Sequence, residues 1–148
     1  MEEAPNLSLE WIEGLPPKNG RNLAWLVSRP EADGVNAKSE FAKLPPRRHQ
    51  AFFLKRMDAW LDGKKNDDWY HGWKSDIFKD VFQFSYERTR IIGFLADIVD
   101  DGCPGELCVL VSLFEKPGVH TPKEMKPRMQ GFANTLDAQR LFDELKED

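Results

Sequence analysis

Two arginines, a lysine and a histidine fall close together in the second half of the chain. Arg88 and Arg90 lie two apart at the start of a strand-like run, Lys116 follows the next such run, and His120 stands four residues further on. Residues two apart on a strand share a face. If the two runs pair antiparallel, the start of one lies beside the end of the other. Arg90 and Lys116 would then meet at one edge of a sheet, and the segment after Lys116 would carry His120 over that edge. A pair of cations there can neutralise charge developing on a phosphate under attack. An uncharged imidazole near its reference pKa of about 6.5 can accept a proton at neutral pH. The plainer reading makes Arg88 and Arg90 solvent-facing strand residues and Lys116 and His120 loop residues.

The elements that must position these groups lie between Lys74 and Pro122. Phe78–Ser85 alternates in part between apolar and polar residues, Thr89–Val99 is nearly continuously apolar, and Leu107–Phe114 reads LCVLVSLF. Each run has strand length and is rich in β-branched and aromatic residues. Tyr86-Glu87-Arg88 separates the first two. Asp100 to Gly105 separates the second and third, with the turn pairs Asp101-Gly102 and Pro104-Gly105. Links this short allow only antiparallel neighbours, so the region predicts a three-stranded meander.

The rest of the chain sets limits. With 148 residues, 41% of them hydrophobic, it predicts one domain with a single core. No apolar run approaches the roughly 18 residues that span a bilayer, and the acidic first residues have no apolar stretch of signal-peptide type. Cys103 and Cys108 are too few for a disulfide framework and read as reduced thiols of a cytoplasmic protein. The net charge of −4 is unusual for a nucleic-acid binder. Its distribution is uneven: residues 1–37 and 131–148 each carry −3, while residues 38–130 carry +2.

In chain order, Leu7, Leu9 and Trp11 alternate like a strand, yet Leu7, Trp11 and Leu15 also fit a helix face. Asn22–Ser28 reads as a strand and residues 29–36 as a loop. Ser39 is an N-cap candidate for a first helix, which Leu44-Pro45-Pro46 interrupts. A longer helix follows from near Pro46, with Phe52, Phe53, Met57, Trp60 and Leu61 on its apolar face and Gly63 at its end. Arg47, Arg48, Lys55 and Arg56 fall largely on its polar face, which reads as an ordinary solvated surface or, alternatively, as a nucleic-acid or partner surface. Trp69, Tyr70 and Trp73 read as packing residues, and His71 as a polar loop residue. Pro127, Gly131 and Asn134 break the region before a short C-terminal helix, which Thr135 or Asp137 would cap and Leu136, Leu141, Phe142 and Leu145 would pack.

The pieces Trp60-Leu61-Asp62-Gly63, Asp80–Phe84, Thr89–Phe94, Leu113–Lys116 and His120-Thr121-Pro122, in this order and spacing, resemble the RelE/HigB/ParE superfamily of toxins from type II toxin–antitoxin pairs. The likeness is nearest to the HigB-like, phage-encoded branch and covers about residues 39–127. It implies an α+β fold with N-terminal helices packed on a curved antiparallel sheet and a short C-terminal helix. Residues 38–148 would form the toxin domain, with residues 1–37 an extension packed on it, since they are too few for a core of their own.

The resemblance also implies a function. Such toxins cleave mRNA on the ribosome by attack of the ribose 2′-hydroxyl on the adjacent phosphate, with no metal or other cofactor. Arg90 matches the family's strand arginine, a stabiliser of transition-state charge, and Arg88 would share its face. Lys116 matches the lysine after the third strand, and His120 the position before the Thr-Pro pair, an acid or base. Lys123, Lys126 and Arg128 would hold RNA backbone, and Tyr86 and Trp73 would stack a base. The expected partners are a cognate antitoxin, the ribosome and mRNA, in the cytoplasm and away from any membrane. The alternatives are a non-nuclease protein of the same type, such as a gyrase-type inhibitor or phage-derived regulator, and a plain protein-interaction module.

Overall fold

The run Leu23-Ala24-Trp25-Leu26 is buried residue by residue, and a strand that is apolar on both faces must be covered on both. Successive side chains point to opposite faces, and here they enter two separate cores. Leu23 and Trp25 join one cluster with Phe41, Phe53, Met57 and Trp60. Ala24 and Leu26 join the other with Met125, Met129, Leu141 and Phe142. A computed structural model, which describes residues 6–30, 32, 34–64, 68–72, 77–115 and 122–147, arranges the chain accordingly as one sheet with helices on both faces.

The strands are β1 (Asn6–Trp11), β2 (Arg21–Arg29), β3 (Tyr70–Gly72), β4 (Val81–Tyr86), β5 (Thr89–Asp100) and β6 (Cys103–Glu115). Their order across the sheet is β1-β2-β6-β5-β4-β3. All neighbours are antiparallel except β2 and β6, which run parallel from Arg21↔Glu106 to Trp25↔Leu110. Helices α1 (Ala37–Ala42) and α2 (Ala51–Leu61) cover the first face, with a single π-helical turn, Pro46–Gln50, between them. Helices α3 (Met125–Thr135) and α4 (Ala138–Glu147) cover the second.

This corrects the expected fold of N-terminal helices on a curved antiparallel sheet. Two strands precede the first helix and belong to the sheet, the sheet has six strands and is mixed, and two helices follow it. The N-terminal segment fitted a strand through Leu7, Leu9 and Trp11 and a helix face through Leu7, Trp11 and Leu15. Pairing with β2 decides for the strand, because so short a segment cannot sustain a helix of its own. Pro127, Gly131 and Asn134 do not break the chain but lie inside α3. Pro127 falls in the first turn, where no intrahelical N–H is needed, and Met125 and Met129 supply the buried stripe. Asp137 caps α4, accepting from the Arg140 N–H at 3.1 Å. His71 lies in a strand and not a loop, while Trp69 and Tyr70 are buried; Trp73 lies outside the described residues.

Local chemistry explains the boundaries. Asp101 and Gly102 both take positive φ, 49° and 81°, the two-residue turn that matches strand twist. The carbonyls at the end of α2 find donors in the turn between β1 and β2: Asn19 Nδ2 donates to Leu61 O at 3.1 Å and Arg21 Nη1 to Trp60 O at 2.8 Å. Gly63 follows at φ 85°. Asn36 precedes α1 but caps nothing with its side chain; its Oδ1 accepts from Leu113 N–H at 2.9 Å instead.

At Gly93 the β5–β6 register shifts by one residue, from Ile92↔Ser112 to Gly93↔Leu110, so Val111 is bulged. The displaced backbone is taken up by the loop before α1, where Asn36 N–H donates to Val111 O at 3.0 Å. A Cβ on Gly93 would lie 1.8 Å from Val109 O, a backbone atom. Gly93→Ala is therefore expected to cost at least about 2–3 kcal/mol, read as a lower urea midpoint at unchanged slope.

Burial also pushes the Tyr70 phenol well above its ordinary range. A folded-state pKa above the unfolded one leaves stability intact below about pH 10 and removes it as pH rises beyond, by about 1 kcal/mol at pH 11. Urea midpoints taken from pH 9 to 11 are expected to fall in the native chain and to fall less in Tyr70→Phe.

Candidate functional site

The chain turns from β4 into β5 on two residues, Glu87 and Arg88, with Tyr86 paired to Thr89 and Glu87 at φ 52°. The last residue of β6, Glu115, pairs with the same Thr89. Three strand ends therefore gather at one edge of the sheet.

The π-helical turn Pro46-Arg47-Arg48-His49-Gln50 packs against this hairpin. It opens after Pro45, which is extended (φ −55°, ψ 121°), and closes with Gln50 N–H donating to Pro45 O at 3.1 Å. Such a turn carries one residue more than an α-turn and is a frequent feature of functional sites. The Gln50 side-chain amide anchors it, donating to Phe41 O at 3.1 Å and Leu44 O at 2.9 Å. These carbonyls lie at and just after the end of α1, and that of Phe41 also accepts from Leu44 N–H at 3.1 Å.

Held there, Arg48 donates from Nε to the Tyr86 hydroxyl at 3.0 Å and pairs through Nη2 with the Glu87 carboxylate. His49 Nε2 stands 3.6 Å from the other Glu87 oxygen, and its ring meets Tyr86 edge-on at 5.0 Å. Phe52 stacks flat on Tyr86, centroids 4.4 Å apart. Arg56 lies over the Phe52 ring at 5.7 Å and over Trp69 at 5.6 Å. The result is an aromatic ledge, Tyr86 and Phe52, flanked by guanidinium groups.

Arg90 has a different role. Its Nη1 donates to the carbonyls of Glu87 at 2.6 Å and Thr89 at 3.0 Å, which fastens the tight turn. Burial pulls its guanidinium below the usual arginine range, though arginine stays charged at any physiological pH. The Tyr86 hydroxyl and the Glu87 charge instead push the exposed Arg48 upward. Arg90 Nε and His49 Nδ1 are buried without a hydrogen-bond partner among the described residues. An orphan of this kind costs about 1–3 kcal/mol, so the edge holds polar groups that a ligand or water can satisfy.

Of the residues singled out from the sequence, Tyr86, Arg88 and Arg90 share this hairpin. Lys116, His120 and Trp73 lie outside the described residues. Lys123 stands in the turn before α3, and Lys126 and Arg128 lie on α3 itself. Lys126 sits over the Phe78 ring at 5.5 Å, and the Arg128 guanidinium rests against Gly34. These three belong to the helical layer of the second face. Arg48, His49, Phe52 and Glu87 carry the cluster, and sequence reading missed their role. Arg47 and Arg48 after two prolines were the available signal, read as a solvated helix face or else a nucleic-acid or partner surface; His49 was not singled out. Comparison of the chain with models of known families, with curated proteins and with solved structures finds no match.

Proposed function

We propose that this protein binds single-stranded RNA at the β4–β5 hairpin edge and cleaves it as a ribosome-dependent toxin held in check by a cognate antitoxin in the cytoplasm. The observation that carries the reading is the cluster of Arg48, His49, Tyr86 and Glu87 beside Arg88 and Arg90. Stacking on aromatic rings and backbone neutralisation by arginine are how unpaired RNA is held. Tyr86 and Phe52 would stack a base. Arg48 and Arg88 would take the phosphate, with Arg90 holding the turn that presents them.

The reaction would be attack of the ribose 2′-oxygen on phosphorus, forming a 2′,3′-cyclic phosphate as the bond to the 5′-oxygen breaks. One group must take the 2′-hydroxyl proton and another protonate the departing oxygen. His49 and Glu87, facing one another at 3.6 Å, are the described pair able to exchange a proton. His120 and Lys116, named from the sequence, are further candidates for the same steps. The second reading is a protein-binding edge without nuclease activity. Favouring it is the commitment of Arg90 to two backbone carbonyls and of Arg48 to Glu87.

Arg48→Ala is expected to weaken binding of a single-stranded RNA oligonucleotide and to lower its salt slope by about 0.7 for each phosphate the variant no longer neutralises. Arg48→Ala and His49→Gln, each checked for folding, should slow mRNA cleavage on ribosomes by a factor on the order of 100. Unchanged rates in both would remove the site from this edge. Growth arrest by a wild-type chain that leaves mRNA intact would favour the non-nuclease reading.

A further inference from the structure

Strand β5 is twice the length of β4, twelve residues against six. The two are paired only as far as Val81↔Phe94, and beyond that Leu95 N–H still donates to Asp80 O at 2.7 Å. From there to Asp100, β5 keeps β6 on one side and, among the described residues, has no strand on the other. The Gln139 side chain stands in for one at Val99: Val99 N–H donates to Gln139 Oε1 at 2.7 Å, and Gln139 Nε2 donates to Val99 O at 2.9 Å. A primary amide thus occupies the place of a strand peptide. Backbone groups alternate between the two sides of a strand. Leu95 and Val99 face this open side, so Asp97, midway between them, turns its N–H and C=O the same way. No described strand reaches it.

A groove of about 600 Å³ runs along this edge, lined by Lys79, Asp80, Asp97, Glu106 and Asp137, with Leu136 among its apolar residues. Four carboxylates face one amine. Asp97 and Glu106 are directly opposed across the β5–β6 ladder, an arrangement of like charges that costs stability. Arg21 approaches Glu106 at 3.9 Å, while Asp97 has no ion-pair partner among the described residues.

We propose that this open stretch of β5 is a docking site for an extended peptide segment of a partner protein, which adds as a short strand and places a lysine or arginine beside Asp97 and Glu106. Strand addition supplies main-chain hydrogen bonds and takes its specificity from alternate side chains. The segment is short, because Asp80 closes one end and Gln139 the other. Its basic side chain shares the face of Asp97, and its neighbours in sequence turn to the opposite face, toward Leu136 and Ala133. The pattern selected is apolar–basic–apolar. The proposal is independent of the hairpin edge and stands whether or not that edge acts on RNA.

The test uses the full chain and a six-residue peptide of alternating lysine and valine, with its acidic counterpart and a backbone N-methylated copy as controls. The basic peptide is expected to bind, to shift the Asp97 amide resonance and to protect that amide from hydrogen exchange. Asp97→Lys, a substitution at an exposed strand position, should weaken binding roughly tenfold, and the N-methylated copy should not bind. Failure of the basic peptide to bind would overturn the proposal. So would binding that survives N-methylation or Asp97→Lys, or a chain that self-associates through this edge without peptide.

Discussion

The parallel pairing of β2 with β6 is the constraint on which the rest of the molecule depends. It joins residues more than eighty positions apart, and everything between them, both first-face helices and the β3–β4–β5 ladder, is one long crossover. β6 is paired on both edges along Leu107–Leu110 and buried on both faces there. Where β2 stops pairing, the loop before α1 takes over. Asn36 accepts from Leu113 N–H and gives its own N–H to Val111 O. The bulge at Val111 and the missing side chain at Gly93 let β5 follow β6 past that point without clash.

Local chemistry was legible in the sequence, and distant pairing was not. The β4–β5–β6 meander could be read from three apolar runs and the turn residues between them. Gly63 and Asp137 could be read as a helix end and a cap, because a positive φ or an orphan N–H needs particular residue types. Nothing local distinguishes Arg21–Arg29 as the parallel neighbour of β6 from an edge strand. The N-terminal segment was ambiguous because its apolar spacing serves both periods. Two helices at the C-terminus were read as one, since Pro127 and Gly131 look like breaks until the helix start is known to fall at Met125.

The candidate site was half legible for the same reason. Arg88 and Arg90 were grouped by spacing on an expected strand, whereas Arg88 stands with Glu87 in the two-residue turn and only Arg90 lies in β5; Tyr86 entered with the family resemblance. Arg48 and His49 reach that hairpin through contacts spanning almost forty positions, and from the sequence Arg48 could be placed only on a basic helix face, solvated or open to a partner. The two ends of the sheet also differ in charge in a way that net charge hides. Four arginines, Arg47, Arg48, Arg88 and Arg90, stand near the β4–β5 turn against Glu87 and Glu115. Carboxylates dominate the groove beside the far half of β5. An overall charge of −4 therefore does not argue against a polyanion at the first end, because screening over about 10 Å makes the local field decisive.

The π-helical turn connects these observations. A continuous α-helix from α1 into α2 is barred by Pro45 and Pro46, since Pro46 cannot donate and Pro45 is held extended. The turn runs directly into α2, and the extra residue it takes up alters the phase of Arg48 and His49 relative to α2, a change of one residue being about 100° around a helix. That rotation lets Phe53, Met57 and Trp60 enter the core while Phe52 lies flat on Tyr86 and Arg48 reaches Glu87. Gln50 then commits its amide to the carbonyls of Phe41 and Leu44, which ties the turn to the end of α1. Packing of α2 and exposure of the basic cluster are consequently set by one local irregularity.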